Sequence, residues 1–405
     1  MDKKNSIKHN KFKILSVGLA LLSLGLIVTI LLLVRNYGSK SETTETIGYH
    51  SNLDSLYADF DYTNFGTHDK HREFLVNKDY FSNQRYDVFY FYKTREQNFA
   101  SPEIVTKLEK NRELIKEQKY NFEIGLTSVA NKSISDITGE INLSDSAAQR
   151  IQLSLNQIKQ PDLDKQEPYI FKNGKSLSPD LVRLDLREYG LVTPVRDQGQ
   201  SGACWSFGSM SAYESNYLEI NKSIIDASEQ YVINCSGAGS AQNGGLAFKV
   251  FEWMTSNKKN IDDEKVSPFY GTDQQCPSTT PNTSFYAENW DFVDPQRNPN
   301  AIPSVKQIKN ALCRYGVISA SVYVDELFQF YIDGVFKENM NYEGTNHAVS
   351  IIGWDDRNNA WIIKNSWGSD WGNKCDFGSN FGYMYIDYST NNIGKRAAWV
   401  KSKQN

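Results

Sequence analysis

The sequence predicts an α+β protein that begins with one transmembrane helix, and three observations support this fold class. Residues 14–34 form 21 uncharged, strongly apolar positions. Residues 101–118 carry apolar side chains at helical spacing. Beyond Pro179, short β-branched runs such as GVISASVYV and AVSIIGW alternate with Gly, Asn and Asp turns. We therefore expect a mainly helical region first and a compact mixed unit of helices and strands after it.

The length and composition of the chain limit the number of structural units and the classes of partner that we expect. With 405 residues, of which 40% are hydrophobic, the chain is long enough for a full core and two or three structural units. Its net charge of −4 gives no electrostatic reason to bind nucleic acid. We therefore expect no nucleic acid partner.

The apolar run predicts a membrane anchor. At about 1.5 Å per residue it spans roughly 31 Å, the thickness of the hydrocarbon core. Five lysines precede it, so residues 1–13 are expected in the cytoplasm, 14–34 in the membrane as a signal anchor, and the remainder outside. A cleaved signal peptide is the alternative, although the run exceeds the usual apolar core and its cleavage signal, Ser39-Lys40-Ser41, is weak. Both interpretations export the rest of the chain.

Three further regions follow the anchor. A polar spacer covers 35–49, a region with helical periodicity covers 50–177, and the mixed unit covers 178–405. The clearest helix begins near Ser101, which is suited to capping, with Pro102 in its first turn. A polar stretch at about 160–179 is typical of a linker or a processing region.

Cys204 is the candidate nucleophile. A thiolate attacks a carbonyl, and its formation is favoured at a helix N-terminus and beside an imidazolium. Residues 205–220 are predicted to form an amphipathic helix that begins at Cys204, so the helix dipole would favour the thiolate. Gly202 and Ala203 leave room beside the thiol for a substrate backbone.

Few histidines are available to act as the base for Cys204. Of five histidines, only His347 lies beyond Pro179, at the start of a predicted strand. A following strand leads to Asn365, whose amide oxygen is suited to accept from the imidazole N–H and fix its orientation.

These residues stand in motifs that resemble the papain-like cysteine proteases: TPVRDQGQSGACWSF, SEQYVINC, NGG, NHAVSIIGW and IIKNSWGSDWG. In that family the His and Asn lie about 130–150 residues after the Cys. Here His347 lies 143 residues and Asn365 161 residues after Cys204. The resemblance implies a papain-like two-lobed fold, with a helical lobe, a β-barrel-like lobe and a cleft between them. It also implies Cys204 as nucleophile, His347 as acid and base, and Asn365 as the orienting residue.

The resemblance extends to residues around the nucleophile. It implies that Gln198 and the backbone N–H of Cys204 form the oxyanion hole, with Trp205 and Trp367 packed beside the catalytic groups. Gly202, Gly244 and Gly245 would face the backbone of an extended substrate. The pocket for the second substrate side chain is expected to involve four small or apolar residues, and we expect it to prefer an aliphatic or aromatic side chain. These residues are Leu246, Ala247, Ala348 and Ala398.

The same resemblance suggests how the other cysteines pair. Cys235 and Cys276 match a family disulfide, whereas another family bridge is replaced by Ser201 and Gln242. Cys313 and Cys375 have no clear counterparts and form a candidate second pair. Cys204 then remains as the unpaired, reactive thiol.

The resemblance further implies an exported zymogen whose residues 50–177 act as an intramolecular inhibitor. Asn111, Ile115 and Gly125 fit the propeptide pattern of the family, but several other positions do not. Peptides or proteins are the expected substrates, the catalytic domain is expected outside the cytoplasm, and neither a cofactor nor a metal is expected. His68 and His71 are too few for a metal site. Two alternatives remain open: an acyl transferase that uses the same site, and an inactive binding protein on the same fold.

Overall fold

The computed structural model describes residues 88, 91–157, 176–256 and 258–405. Several predictions lie outside these residues: the cytoplasmic segment 1–13, the anchor 14–34, the spacer 35–49, and His68 and His71. None of the helices in the described ranges is both long and apolar enough to span a bilayer. The chain divides into units 1–60 and 61–405, and all described residues belong to the second.

Residues 91–157, here called the N-terminal segment, are mostly helical. Residues 91–99 are helical. They are followed by α1 (Pro102–Gln118), β1 (Phe122–Ile124), α2 (Ile134–Ile137) and α3 (Asp145–Leu155).

Helix α1 forms where the sequence predicts it. The hydroxyl of Ser101 accepts a hydrogen bond from the N–H of Ile104, and Pro102 occupies the first turn. Ile104 and Leu108 are buried on one face, and Lys119 ends the helix in a left-handed conformation. The predicted cap and apolar face of this helix are therefore confirmed.

The remaining helices flank a large sheet. They are α4 (Cys204–Asn221), α5 (Glu229–Cys235), α6 (Ala247–Thr255), α7 (Val305–Tyr315) and α8 (Glu326–Phe330). The strands are β2 (Arg183–Asp185), β3 (Gly239–Ser240), β4 (Gly244–Gly245), β5 (Ala287–Phe292), β6 (Ile318–Val322), β7 (Tyr331–Phe336), β8 (His347–Asp355), β9 (Ala360–Lys364), β10 (Tyr383–Asp387) and β11 (Lys395–Ser402).

In the described residues, nine strands form one sheet in the order β1-β7-β10-β9-β8-β6-β11-β5, with β2 paired to β8. Within the described residues, this path begins at β1 and ends at β5. Strand β1 of the N-terminal segment pairs antiparallel with β7, with Phe122 opposite Gly334. Strands β3 and β4 form a separate two-stranded sheet.

Helix α4 is buried on almost all sides, which corrects the amphipathic helix predicted from the sequence. Its buried positions include polar residues such as Ser206, Ser215 and Asn216. These are satisfied internally: Ser215 donates to the carbonyl oxygen of Leu191 at 2.5 Å. A helix enclosed by a sheet and other helices needs no polar face toward water, because its polar side chains find partners inside.

One hydrophobic core includes residues from both parts of the chain. Leu108, Phe122 and Ile137 of the N-terminal segment belong to the same buried cluster as Trp205 and Trp367. The segment is thus packed into the fold, and it leads the chain into the space between β4 and the start of β8.

Candidate active site

Cys204 is the first residue of α4, and the fold buries it completely. No side chain caps the helix at Ala203, so the first N–H groups of the helix remain available to a negative charge. The backbone N–H groups of Ala348, Gly139 and Trp205 also favour a thiolate. Burial outweighs them and raises the pKa of the thiol to about 12.

His347 begins β8 and is held by Asn365, which directly follows β9. The Nε2 atom of the ring lies 2.8 Å from Oδ1 of Asn365. Because the same Oδ1 accepts from the N–H of Ser366 at 2.8 Å, it acts as an acceptor toward both groups. Nε2 therefore carries the proton, and Nδ1 of the neutral ring is the basic atom. Nδ1 has no hydrogen-bond partner among the described residues.

The surroundings of His347 keep the imidazole neutral in this state. Burial lowers its pKa to about 4, although the hydrogen bond with Asn365 acts in the opposite direction. The ring of Trp367 lies 4.8 Å away, between centroids, and covers the imidazole. Ala348, whose N–H faces the thiol, directly follows His347 in β8, so the imidazole-bearing strand is in contact with Cys204.

Gln198 is fixed by hydrogen bonds from both its backbone and its side chain. Its Oε1 accepts from the hydroxyl of Ser366 at 2.6 Å, and its Nε2 donates to the carbonyl oxygen of Ser201 at 2.7 Å. Nε2 also donates to the carbonyl oxygen of Ile137 at 3.2 Å, and Trp367 Nε1 donates to the same oxygen at 3.0 Å. The side-chain N–H groups of Gln198 and Trp367 therefore both donate to the same carbonyl oxygen of the N-terminal segment, that of Ile137.

Residues 137–141, here called the cleft segment, begin at the last residue of α2, and from Thr138 the chain continues past the thiol in an extended conformation. The N–H of Gly245 donates to the Gly139 carbonyl oxygen at 2.7 Å, and the N–H of Ile141 donates to the Gly245 carbonyl oxygen at 3.2 Å. On the sheet side, the N–H groups of Gly139 and Glu140 both donate to the Asn346 carbonyl oxygen. The cleft segment therefore occupies the groove between the helical and the sheet side of the fold.

The glycines predicted to face the substrate are needed at this groove. A Cβ on Gly244, whose φ is 80°, would lie 1.9 Å from the Gly139 carbonyl oxygen. A Cβ on Gly245 would lie 2.7 Å from the ring of Trp205. Gly202 donates its N–H to the carbonyl oxygen of Ala241 at 2.6 Å. This backbone bond joins the two chain segments that contain Ser201 and Gln242.

Four other residues were predicted to line a side-chain pocket, and all are buried: Leu246, Ala247, Ala348 and Ala398. The polar groups around the Glu140 side chain come instead from Ser321, Thr345 and Arg396, which the sequence analysis did not name. No sequence motif marks these residues, because their convergence depends on the pairing of β6, β8 and β11.

The structure contains one of the two expected disulfides. Cys235 and Cys276 are bonded, with a sequence separation of 41. The candidate pair of Cys313 and Cys375 is not formed, and both are free, buried thiols like Cys204. They have different surroundings. Besides burial, the charges of Lys309 and Asp180 act on the pKa of Cys313, whereas those of Arg187 and Asp376 act on the pKa of Cys375. The fold thus supplies each thiol with its own buried environment.

Comparison with known proteins assigns this site to a family. The model of the papain family of cysteine proteases matches residues 182–399, more than half of the chain. The chain belongs to this family. Cys204, His347 and Asn365 all lie within the matched range.

Three relatives in this family show the extent of the similarity. The chain is 34% identical to cathepsin K of Gallus gallus over 211 residues, which are 50% of this chain and 61% of the relative. It is 33% identical to the thiol protease aleurain of Arabidopsis thaliana over 217 residues, 52% of this chain and 56% of that one. For the gamete and mating-type specific protein A of Dictyostelium discoideum the identity is 34% over 206 residues, 50% and 42% of the two chains. The matches thus span less than two thirds of each relative.

Two solved structures match a larger share of the chain than the family model does. The digestive procathepsin L 3 of Tenebrio molitor superposes with a TM-score of 0.54 at 20% identity, covering 78% of this chain and 98% of that one. The ragweed pollen cysteine protease Amb a 11, in its proform, gives a TM-score of 0.56 at 19% identity, covering 82% and 97%. At these identities the comparison establishes the mixed α and β fold only.

Proposed function

We propose that this protein is a cysteine endopeptidase that hydrolyses peptide bonds with Cys204, His347 and Asn365. The single observation that carries the proposal is the orientation of His347: Asn365 fixes the proton on Nε2 and leaves Nδ1 without a partner. An imidazole held in this way beside a thiol at a helix N-terminus has the arrangement of a nucleophile, a base and an orienting group.

The reaction follows from these positions. In the open site, Nδ1 of His347 takes the thiol proton, and the thiolate of Cys204 attacks the substrate carbonyl. The backbone N–H of Cys204 and the amide of Gln198 stabilise the oxyanion, and His347 returns the proton to the leaving amine. A water molecule, deprotonated by His347, then attacks the thioester, and the acid product leaves as the proton returns to the thiol.

The N-terminal segment is the proposed inhibitory part of a zymogen, within a prodomain of residues 50–177 and a peptidase domain of 178–405. Support comes from the cleft segment, which fills the groove above Cys204. The Gly139 backbone acts on the thiol, but both of its polar groups are engaged elsewhere: its N–H donates to the Asn346 carbonyl oxygen and its carbonyl oxygen accepts from the N–H of Gly245. The segment can therefore exclude substrates without being cut itself.

The proposed location is outside the cytoplasm, with residues 14–34 as a membrane anchor. The disulfide between Cys235 and Cys276 supports an oxidising compartment. The anchor rests on the sequence alone. N-terminal sequencing of the active species tests these boundaries, because a start within 178–185 is expected if the prodomain is removed as proposed.

The variant Cys204→Ala tests the activity. The natural chain and each variant are matured by the same added protease, which is then removed, and cleavage of an unstructured protein is measured with and without an added amine acceptor. Cys204→Ala is expected to abolish cleavage, whereas Cys313→Ala, which removes another free buried thiol, should retain it. Unchanged cleavage in Cys204→Ala would contradict the mechanism. Transfer to the amine as the main product would indicate an acyl transferase instead.

A further inference from the structure

Glu140 lies in the active-site groove at a position that bears on which substrate side chain the protein selects. Glu140 forms a parallel β-bridge with Gly245. The Gly139 carbonyl oxygen accepts from the N–H of Gly245, and the N–H of Ile141 donates to the Gly245 carbonyl oxygen. Within the cleft segment, Gly139 is the residue whose backbone acts on the thiol of Cys204. Glu140 therefore stands where the second substrate residue, counted from the attacked carbonyl, would pair with Gly245.

The side chain of Glu140 enters a basic, polar pocket. Its Oε2 lies 3.4 Å from Nη1 of Arg396, and both side chains are only 2% exposed. The hydroxyl of Ser321 donates to Oε1, and the nearby hydroxyl of Thr345 also favours the carboxylate form of Glu140. Lys395 adds a second positive charge nearby. An aliphatic or aromatic side chain in this pocket would leave the buried guanidinium without a counter-charge, which is costly.

A local irregularity of the backbone brings Arg396 into the pocket. Strand β11 pairs with β6 through Lys395 and Ala398, and the register shifts between these two residues. Arg396 lies within this bulge with a φ of 55°, a conformation that a non-glycine residue adopts rarely. Its Nη1 donates to the Thr345 hydroxyl at 2.5 Å, which fixes the guanidinium. Strained bulges of this kind often reorient a side chain beside an active site.

Glu140 does not use the full binding capacity of Arg396. Nε and Nη2 of Arg396, and Oε2 of Glu140, have no hydrogen-bond partner within the described residues. A guanidinium offers two parallel N–H groups that match a carboxylate. The pocket can therefore bind a better-placed carboxylate more tightly than it binds Glu140.

We propose that Arg396 makes this protease select an acidic residue at the second substrate position, and that Glu140 fills the same pocket as an internal mimic of that residue. The inference rests on the proposed peptidase function. It replaces the preference expected from Leu246, Ala247, Ala348 and Ala398, because the charged group at the base of the pocket outweighs its apolar walls.

The test compares peptides that differ at one position only. Full-length protein is matured, its active sites are titrated with an irreversible thiol reagent, and kcat/KM is measured for fluorogenic peptides with Glu, Asp, Gln, Leu or Phe at the second position. A carboxylate paired with a buried guanidinium is expected to favour Glu over the isosteric Gln by about 10- to 100-fold. This comparison uses the natural chain and requires no variant to fold.

Two variants then test the residue. Arg396→Gln is expected to remove the advantage of Glu over Gln, and Arg396→Lys should retain part of it, since the charge remains and the planar fork is lost. Arg357→Ala is the matched control, because Arg357 is an arginine with a 64% exposed side chain paired to Asp355. This control should leave the ratio of Glu to Gln unchanged.

The outcomes separate this inference from the function on which it rests. Faster cleavage of the Leu or Phe peptide than of the Glu peptide by the natural enzyme would overturn the inference and leave the peptidase function intact. Persistence of the Glu preference in Arg396→Gln would also overturn it. Failure to cleave any of the five peptides, or the unstructured protein used with Cys204→Ala, would contradict the proposed function itself.

Discussion

Gly139 lies directly against Gly202: a Cβ added to Gly139 would be 2.0 Å from the carbonyl oxygen of Gly202. The contact is between two backbones, so no side-chain rotation can relieve it. The covered state of the active site therefore depends on the absence of a side chain at residue 139.

The variant Gly139→Ala is expected to displace the cleft segment. The added methyl group cannot fit against Gly202, so the thiol should become accessible in the uncleaved chain, and its alkylation rate should rise by more than about tenfold. Gly237→Ala is the control for backbone strain alone: its φ of 68° disfavours any side chain, but no atom lies within 4 Å of a Cβ there. Equal alkylation rates for both variants would show that residue 139 does not determine the covering of the site.

The reactivity of Cys204 should depend on pH differently before and after maturation. A pKa of about 12 for the thiol and about 4 for His347 makes both groups neutral at pH 7 in the covered site. Because only the thiolate reacts, alkylation of the full chain at pH 7 should be roughly a thousandfold slower than that of free cysteine and should rise steadily above pH 9. Removal of the cleft segment relieves the burial and should produce a plateau near neutral pH.

Mass spectrometry of the labelled peptide is required for this measurement, since Cys313 and Cys375 are also free thiols. A neutral-pH plateau for Cys204 in the uncleaved chain would contradict the expected protonation states.

Glu140 and Arg396 should be energetically coupled in the uncleaved chain. In a Cys204→Ala background, which prevents processing, Glu140→Leu leaves a buried guanidinium unpaired and should lower the free energy of unfolding by about 3 kcal/mol. Adding Arg396→Leu should recover part of this loss, because both charges are then removed. Thermal or denaturant unfolding of four chains measures the coupling: the Cys204→Ala background alone, with Glu140→Leu, with Arg396→Leu, and with both. Strictly additive effects would indicate that the ion pair contributes little.

Asn365→Ala should reduce catalysis more than substrate binding. Without the Oδ1 acceptor, His347 loses the hydrogen bond that fixes its proton on Nε2, so we expect kcat to fall by about 100-fold with little change in KM. Asn221→Ala, at the other end of α4 from Cys204, removes a hydrogen bond to the Lys403 carbonyl oxygen and serves as control. A similar loss of kcat in both variants would indicate a general effect on folding.

Loss of the disulfide should destabilise the fold measurably. Replacement of Cys235 and Cys276 by serine opens a loop with a sequence separation of 41, which in the chain-entropy model costs about 4 kcal/mol. The loss in the free energy of unfolding is measured by unfolding this double variant and its parent in the Cys204→Ala background, with and without reductant. A reductant-dependent shift that remains in the double variant would mean that another disulfide contributes.

The sequence was most informative where chemistry requires particular residue types. The thiol at a helix start, the histidine at the start of a strand and the asparagine after the next strand were all located from local patterns, as was α1 with its cap. Each of these depends on a short stretch of chain. The meeting of His347 with Asn365 depends on the pairing of β8 with β9, in which Ser350 lies opposite Lys364, next to Asn365.

The features that the sequence could not reveal depend on tertiary structure. Arg396 reaches the pocket through a register shift in β11, which has no local signature, so the apolar Ala398 was predicted there instead. The cleft segment contains no motif that predicts its pairing with Gly245. The burial of α4, and the separation of Cys313 from Cys375, likewise follow from how distant elements pack.

Strand β1 has a consequence for the mature protease. It covers one edge of β7, with Phe122 opposite Gly334 and Glu123 opposite Asp333. Proteolytic removal of the N-terminal segment would expose the N–H and C=O groups along that edge, where an extended chain from another molecule can add itself. Removal of the segment would thus leave an unpaired sheet edge on β7 as well as an open catalytic groove. At high concentration the processed form should therefore self-associate more readily than its precursor.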